Sequence, residues 1–361
     1  MATFRIATRA DEGVIKALLH EHPMDSWVSI SMEREPSYFQ GASLMGETYT
    51  LISEERDEVV GMYACSYLSV HINKKMATIG YLGAMRVREP FRHKIRYLKE
   101  GFDAIATMIP QQASVPFYLT SIATENLSAR RLLESNQKGM PTYMPRGEMS
   151  SLVFSVRRGK MSYCLEQATQ ENIPEIVAFY NRYASDYQFS PCLSESWLNA
   201  LDGDAGLKIG DFWLARGCDG TLQCCLALWD QRAFKQSVVH DYRQPLKQMR
   251  PLYNLYARMS RQVELPACGE ALQHLFIAFF AYNDEAVAIR ALKEAAKIAE
   301  QTKKVESCTL GLSSQHPLLP AIKTLFKPSV YVTEIETVLL NGTVDNISLE
   351  DRLVQPEVAL L

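Results

Sequence analysis

One order of secondary-structure elements is predicted twice along the chain, and this repeat constrains the fold more than any other feature. A short strand over residues 4–7 runs into Thr8 and a helix, and a strand over residues 163–168 runs into Thr169 and a helix. The two Ala-Thr pairs lie about half of the 361-residue chain apart. One shared dipeptide means little, but the elements that follow also come in the same order in both halves.

Each half is predicted to continue with a β-hairpin, a strand, a long helix, a strand, a shorter helix and a final extended run. Alternating apolar residues around the polar turns EERDE and GCDG indicate the two hairpins. The later elements are predicted at 78–87, 91–108, 117–123, 126–134 and 148–156 in the first half, and at 275–282, 284–303, 307–312, 318–326 and 329–340 in the second. The order β-α-β-β-β-α-β-α-β therefore predicts two similar α/β domains, over residues 1–160 and 161–361.

The second half also carries a segment that the first half lacks, at about residues 231–272. Its Tyr, Arg and Pro content predicts an ordered excursion that builds either a substrate wall or a contact between the domains. Residues 341–361 show little periodicity, and we expect them to pack on the surface or to be mobile.

Composition narrows the classes of function. Hydrophobic residues make up 47% of the chain and charged residues 22%, which predicts a folded protein. A net charge of -3 argues against a general nucleic-acid binder. The first residues lack an apolar signal core, and the longest apolar runs are too short to span a bilayer. We therefore expect a cytoplasmic protein with neither nucleic acid nor membrane as a partner.

The eight cysteines are scattered, with no Cys-x-x-Cys pair and no clustered histidines. This spacing predicts reduced, mostly buried thiols and no metal site. Cys224 and Cys225 are neighbours on a predicted strand, so their side chains should point to opposite faces. A redox role for this pair is therefore not expected.

Residues 77–108 contain the most suggestive chemistry. An apolar strand breaks at Glu89-Pro90, passes through a cationic turn and continues as an amphipathic helix. The amides and the dipole of a helix N-terminus favour a phosphate. The alternative is an ordinary strand-turn-helix with a solvated basic face, and both interpretations stay open at this point.

The order of elements, the strand LGAMRV entering a basic turn, and the run TENLSARRLL together resemble the GNAT superfamily of N-acetyltransferases. The resemblance implies two tandem GNAT-like α/β domains, each with a mixed, mostly antiparallel twisted sheet flanked by helices. It also implies acetyl-CoA as co-substrate, held by a central strand and by the turn after it. The implied cofactor-binding residues are Met85, Arg86, Val87, Arg92, His93, Lys94, Ile95, Arg96, Tyr97 and Asn126.

The motifs depart from the family pattern at three positions. Ile95 and Tyr97 stand where the family has glycine, and a Cβ hinders the approach of backbone amides to phosphate oxygens. The four cations of the turn, Arg92 among them, offer compensating charge. Leu133 stands where the family has a general-acid Tyr, and Tyr143 is a candidate substitute. Tyr143 has the alternative role of ordering a loop between two prolines.

Amine acetylation needs a base for the ammonium and a donor for the oxyanion. The Val87 amide is a candidate oxyanion donor. The strand 77–87 carries no carboxylate, so Glu125, after the next strand, is the first candidate base and His71 the second. The corresponding turn of the second half, residues 282–286, is acidic, so we expect no second CoA site there.

The resulting hypothesis is an N-acetyltransferase that moves an acetyl group from acetyl-CoA directly to a small-molecule or peptide amine, with a homodimer as a possible assembly. Two alternatives stay open. One is a non-catalytic GNAT-like binding or regulatory protein, and the other is an acyl or aminoacyl transferase acting on a larger acceptor.

Overall fold

A computed structural model describes residues 3–24, 27–43, 46–92, 95–133, 137–156, 164–201, 205–260, 262–340 and 347–361. The strands of the first half are β1 (Thr3–Ile6), β2 (Val28–Glu33), β3 (Glu47–Glu55), β4 (Glu58–Ile72), β5 (Lys75–Val87), β6 (Tyr118–Ala123) and β7 (Thr142–Ser155). Its helices are α1 (Glu12–Glu21), α2 (Tyr38–Ser43), α3 (Glu89–Arg92), α4 (Ile95–Met108) and α5 (Leu127–Leu133).

The second half repeats the order β1-α1-β3-β4-β5-α4-β6-α5-β7 and adds elements of its own. Its strands are β8 (Glu166–Gln167), β9 (Phe212–Arg216), β10 (Leu222–Trp229), β11 (Gln236–Tyr242), β12 (His274–Tyr282), β13 (Ser307–Ser313) and β14 (Ser329–Leu339). Its helices are α6 (Ile173–Ala184), α7 (Glu195–Asn199), α8 (Leu246–Ser260), α9 (Glu285–Lys303) and α10 (Leu319–Phe326). The predicted α/β fold class, with two similar halves, is confirmed. The pattern did not predict β2, α2 and α7.

The two halves share one continuous sheet. Its twelve strands lie in the order β1-β3-β4-β5-β6-β14-β7-β13-β12-β10-β9-β8. The last strand of each half is exchanged, because β14 inserts between β6 and β7 while β7 pairs with β13. Within this mainly antiparallel sheet, β5–β6 and β12–β13 are parallel pairs. The predicted boundary near residue 160 falls in a segment outside the described residues and stays a prediction.

Helices cover both faces of the sheet. In the first half, Tyr63 and Cys65 of β4 pack under α4, whereas Met62 packs against α1 on the opposite face. In the second half, Cys224 and Cys225 likewise belong to cores on opposite faces, as predicted. None of the helices in the described ranges combines the length and apolarity needed to cross a bilayer.

The extra segment of the second half is ordered and contacts the first half, which is one of the two roles predicted for it. Its strand β11 pairs with β2 in a separate two-stranded sheet. Its helix α8 carries a row of exposed apolar side chains: Met249, Leu252, Leu255, Tyr256 and Met259.

The later part of the C-terminal segment 347–361 is partly buried between the two halves. Val354 packs in the core beside β5 and β6, and Ala359 packs in the core under α6. The expectation of surface packing is therefore wrong for the buried residues from Val354 onward, whereas Ser348, Glu350 and Asp351 are exposed. Its low periodicity reflects an irregular backbone that contacts both halves.

Candidate functional site

The parallel strands β5 and β6 stop pairing before their carboxyl ends, and we refer to the gap between those ends as the cleft. Their ladder consists of the pairs Gly80↔Tyr118 and Tyr81↔Leu119, after which the Thr120 hydroxyl donates a hydrogen bond to the Leu82 carbonyl at 2.8 Å. Beyond this point the described carboxyl ends of the two strands form no further ladder pairs. Backbone groups along a separated strand are available to an extended ligand, which makes the cleft a candidate binding site.

A β-bulge lies on the β5 side of this cleft. The register with β4 shifts between Met62↔Arg86 and Ala64↔Gly83, so two residues of β5 oppose one residue of β4. One of them, Ala84, has φ +49°, a left-handed conformation that is uncommon for a residue with a Cβ. Bulges of this kind redirect backbone groups next to functional sites.

The predicted pyrophosphate turn is described only in part. His93 and Lys94 lie outside the described residues, as does the side chain of Arg92 at the end of α3. Arg96 is exposed in the first turn of α4 and pairs with Glu100 at 3.0 Å. This position puts a cationic side chain at a helix N-terminus close to the end of β5.

The two residues at the glycine positions pack inward. Tyr97 is 2% exposed, and its ring contacts that of Phe91 at a centroid distance of 5.4 Å. Ile95 packs at the edge of the same core. Their side chains are therefore directed to the core beneath α4, although the turn lacks the freedom that glycine provides.

Several ionisable side chains lie at the cleft on the face of the sheet that packs against α1 and α2, opposite the face covered by α4. Tyr331 of β14 interacts electrostatically with Glu125, Arg86 and Tyr81. Burial, together with Glu125 and Tyr81, raises the pKa of Tyr331 to about 12, and Arg86 opposes this increase. The Tyr81 hydroxyl is bonded to Ser121 Oγ at 2.7 Å across the start of the cleft.

The structure does not bring the two predicted catalytic residues together. Glu125 is exposed beyond the end of β6, at the open end of the cleft. Tyr143 lies on β7 opposite Val338, which in turn lies opposite Tyr118 at the closed end. Burial raises the pKa of Tyr143 well above its usual range, with Glu336 adding to the shift. The roles predicted for both residues stay predictions.

His71 is far from the open end of the cleft. It lies on β4 opposite Met76, near the start of β5, whereas the cleft opens toward Val87 at the other end of that strand. Burial lowers the pKa of His71. A ligand bound at the open end of the cleft therefore does not contact His71.

Asn126 caps α5. Its side-chain oxygen accepts hydrogen bonds from the Ala129 amide at 3.2 Å and from Ser128 Oγ at 3.0 Å. This confirms the local capping role, while its cofactor contact stays a prediction. The same holds for Met85 and Val87, which lie on β5 where the resemblance places the pantetheine arm.

The second half contains the same cleft, but chain residues fill it. Strands β12 and β13 pair from His274↔Ser307 to Ile277↔Leu310 and then separate. Phe279 lies in a bulge matching that of Ala84, with φ +51°. The Phe279 amide donates a hydrogen bond of 2.8 Å to the carboxylate of Glu357, which also accepts from the Ala359 amide at 3.1 Å.

Further tail contacts close this second cleft. The Gln355 side chain accepts from the Ser313 amide at 2.7 Å and donates to the Gly311 carbonyl at 3.1 Å. A Cβ on Gly311 would lie 2.5 Å from Val358, so the tail lies directly against β13. The remaining cavity is about 10 Å³, the space of one water molecule.

The N-terminus of α9 is also occupied. Asp284 caps it by accepting a hydrogen bond from the Val287 amide at 2.8 Å, and Glu285 lies in its first turn. Two carboxylates at this position repel a phosphate.

Solved structures share this architecture across nearly the whole chain. The N-myristoyltransferase of Saccharomyces cerevisiae with bound myristoyl-CoA has a TM-score of 0.61 at 10% identity, covering 98% of this chain and 89% of that one. A probable N-acyltransferase of Enterococcus faecalis has a TM-score of 0.50 at 10% identity, with coverages of 94% and 72%. A GCN5-related N-acetyltransferase of Anabaena variabilis has a TM-score of 0.50 at 11% identity, with coverages of 94% and 73%. The chain has the GNAT fold.

By sequence, no family model and no curated protein matches the chain. Within its GNAT fold, sequence reasoning missed Tyr331, Tyr38 and Arg34. Tyr38 and Tyr331 both interact electrostatically with Arg86, and Arg34 interacts with Tyr38. These side chains come from β14, α2 and the segment between β2 and α2, so no local motif could have indicated them.

Proposed function

We propose that the chain is an N-acyltransferase that moves an acetyl group from acetyl-CoA to an amine in the cleft between β5 and β6. The single observation that carries the proposal is this cleft, with the Ala84 bulge on one wall and the α4 N-terminus at its end. The fold is shared with N-acyltransferases, one of them solved with myristoyl-CoA. A CoA thioester matches the site because its arm is extended and its pyrophosphate is anionic.

In this proposal, the backbone of β5 from the bulge to Met85, Arg86 and Val87 holds the pantetheine arm. The α4 N-terminus holds the pyrophosphate, for which we propose Arg92, His93, Lys94, Ile95, Arg96 and Tyr97 as binding residues. Asn126 contacts the cofactor from the other wall. The bulge amides replace Val87 as the proposed oxyanion donors, because their counterpart at Phe279 already binds a carboxylate oxygen.

The acceptor amine reaches the thioester from the α1 face, where Tyr331, Arg86 and Glu125 interact. The amine nitrogen forms a bond to the carbonyl carbon, and the carbon–sulfur bond then breaks. Glu125 removes one proton from the nitrogen, and the departing thiolate takes a proton from solvent at the open end of the cleft. Arg86 disfavours a charged ammonium at this point and Glu125 favours one, so the proton transfer to Glu125 is what makes the neutral amine available.

The second half has no CoA site in this proposal. Its cleft is filled by Gln355 and Glu357, and its helix N-terminus carries Asp284 and Glu285. It therefore contributes β14, and with it Tyr331, to the site of the first half.

Calorimetric titration of acetyl-CoA tests the binding step. We expect saturable binding that weakens in an Arg92→Glu, Arg96→Glu double variant and at higher salt, since the contact is ionic. Arg290→Glu, a charge reversal at an exposed position of α9, is the control and should leave the affinity unchanged. Absence of binding to the wild type at millimolar acetyl-CoA refutes the proposal.

Acyl transfer to a panel of amines tests the reaction. Glu125→Gln should lower kcat/KM by about 10²-fold or more if Glu125 is the base. Glu148→Gln, an exposed carboxylate on β7, is its control. Parallel reactions with acetyl-CoA and myristoyl-CoA measure the preference for acyl length.

Ile95 and Tyr97 at the glycine positions favour a second candidate, a non-catalytic GNAT-like binding or regulatory protein. This candidate predicts CoA binding in the titration without turnover of any amine in the panel. Transfer above the uncatalysed rate, abolished by the double variant of the turn, excludes it.

A further inference from the structure

Two histidines and a glutamate meet where the extra segment contacts the first half. His20 lies in the last turn of α1, Glu33 ends β2, and His240 lies on β11. One ligand atom from each lies within 4.8 Å of those from the other two. The three residues are distant in sequence, so the assembly exists only in the folded chain.

The individual distances fit a shared ion. His20 Nδ1 lies 2.7 Å and His240 Nε2 lies 3.9 Å from Glu33 Oε1, and the two imidazole rings are 4.6 Å apart. Tetrahedral Zn²⁺ with bonds of about 2.0–2.1 Å places its ligand atoms about 3.3 Å apart. One distance is below this value and one above it, and every pair of ligand atoms in the cluster lies within 4.8 Å.

Local backbone geometry directs His240 to this point. The pairing of β11 with β2 shifts between Val239↔Ile30 and Asp241↔Ser29, which makes His240 the extra residue of a β-bulge. A bulge turns a side chain away from the regular alternation of its strand.

A buried hydroxyl contacts two members of the cluster, Glu33 and His240. Ser31 is fully buried, donates to Glu33 Oε1 at 2.7 Å and lies 3.0 Å from His240 Nε2. The bond to Glu33 orients that carboxylate, and an ion bound to His240 Nε2 would replace the contact of this nitrogen with Ser31. The His20 side chain is 62% exposed, so an ion has a path from solvent and a side open to water.

We propose that His20, Glu33 and His240 form a site for a divalent transition-metal ion of the Zn²⁺ class. Two imidazoles and one carboxylate are a nitrogen-rich set that prefers Zn²⁺ to Mg²⁺ or Ca²⁺. The ion links α1 and β2 of the first half to β11 of the second. The site is independent of the proposed acyl transfer and shares no residue with the β5–β6 cleft.

The test is calorimetric titration of ZnCl₂ into the full chain after treatment with EDTA and desalting. Exposed Cys218 and Cys268 are replaced by Ser in every variant to remove adventitious thiolate ligands. We expect one equivalent of Zn²⁺ at micromolar or tighter affinity. His20→Ala and His240→Ala should each weaken binding at least tenfold.

His22→Ala is the matched control, because its Nδ1 bonds the Leu18 carbonyl and lies outside the cluster. It should bind Zn²⁺ like the parent. Binding unchanged in both His20→Ala and His240→Ala, or no binding to the parent, overturns the proposal and leaves a histidine–glutamate ion pair only. Visible d–d bands of tetrahedral Co²⁺ in the parent give a readout that does not depend on any variant.

Discussion

Glu357 sets the pH dependence of the contact that fills the second cleft. Its carboxylate lies among core residues and accepts hydrogen bonds from the Phe279 and Ala359 amides. Burial raises its pKa from 4.5 to about 7, and these amides and the charge of Lys235 oppose the shift without cancelling it. The folded chain therefore binds a proton at this site more tightly than the unfolded chain does.

The sign and size of the effect follow from linkage. A raised pKa contributes stability that is fully present below pH 4.5 and is lost as pH rises through 7. The full shift corresponds to about 3 kcal/mol, of which about 2.5 kcal/mol falls between pH 5 and pH 8. Glu357→Gln carries no titrating proton and removes this part of the pH dependence.

Urea unfolding of the wild type and of Glu357→Gln, followed by circular dichroism from pH 5 to pH 8, measures the effect. We expect the free energy of unfolding of the variant to gain about 2.5 kcal/mol relative to the wild type across this range. Glu350→Gln, an exposed carboxylate of the same segment, is the control and should follow the wild type. Parallel curves for the wild type and Glu357→Gln would refute the burial argument.

Three further perturbations test other parts of the fold. Burial lowers the pKa of His274 and His316 from 6.5 to about 4, so each contributes stability that is present above pH 6.5 and is lost as pH falls through 4. His274→Gln and His316→Gln should each reduce the fall in the free energy of unfolding at acid pH by up to about 3 kcal/mol. An unchanged acid dependence in both variants would contradict this. Asn126→Ala removes the cap of α5 and should lower the free energy of unfolding by about 1 kcal/mol, with recovery in Asn126→Asp; equal stability of all three chains argues against the cap. Gly80→Ala places a Cβ 2.5 Å from an aromatic ring of β6 and should lower the free energy of unfolding by about 1–3 kcal/mol. Gly13→Ala, with open space around it, is the control and should not destabilise the chain. Equal thermal midpoints of the two variants would show that the residues around Gly80 adapt to the Cβ.

Much of the fold was predictable because its elements are locally encoded. The periodicity of α4 and α9, the hairpin turns and the Asn126 cap depend on neighbouring residues, and all of them are present. The acidic turn of the second half is likewise a local feature, in which Asp284 caps α9. The site was predictable only where it coincides with such elements, as with Arg96 in the first turn of α4.

The remaining parts depend on contacts between distant residues. The exchange of β7 and β14 was not predictable, because an apolar strand matches either neighbouring edge equally well by its pattern. Nor does an alanine in a strand indicate a left-handed conformation, yet Ala84 adopts one because β4 and β5 differ in length by one residue at the bulge. The tail was misjudged for the same reason, since Glu357 and Gln355 bind backbone groups of strands far away in sequence.

The sequence by itself determined that this chain consists of two similar α/β halves and that only the first has a cationic turn before its long helix. The tertiary structure decided that the halves share one sheet, that the second cleft is filled, and that Tyr331 of the second half joins the cleft of the first. Hydrogen bonding along the chain and amphipathic periodicity are local properties, whereas strand register, filling of a cleft and the meeting of His20 with His240 are set by packing between segments far apart in sequence.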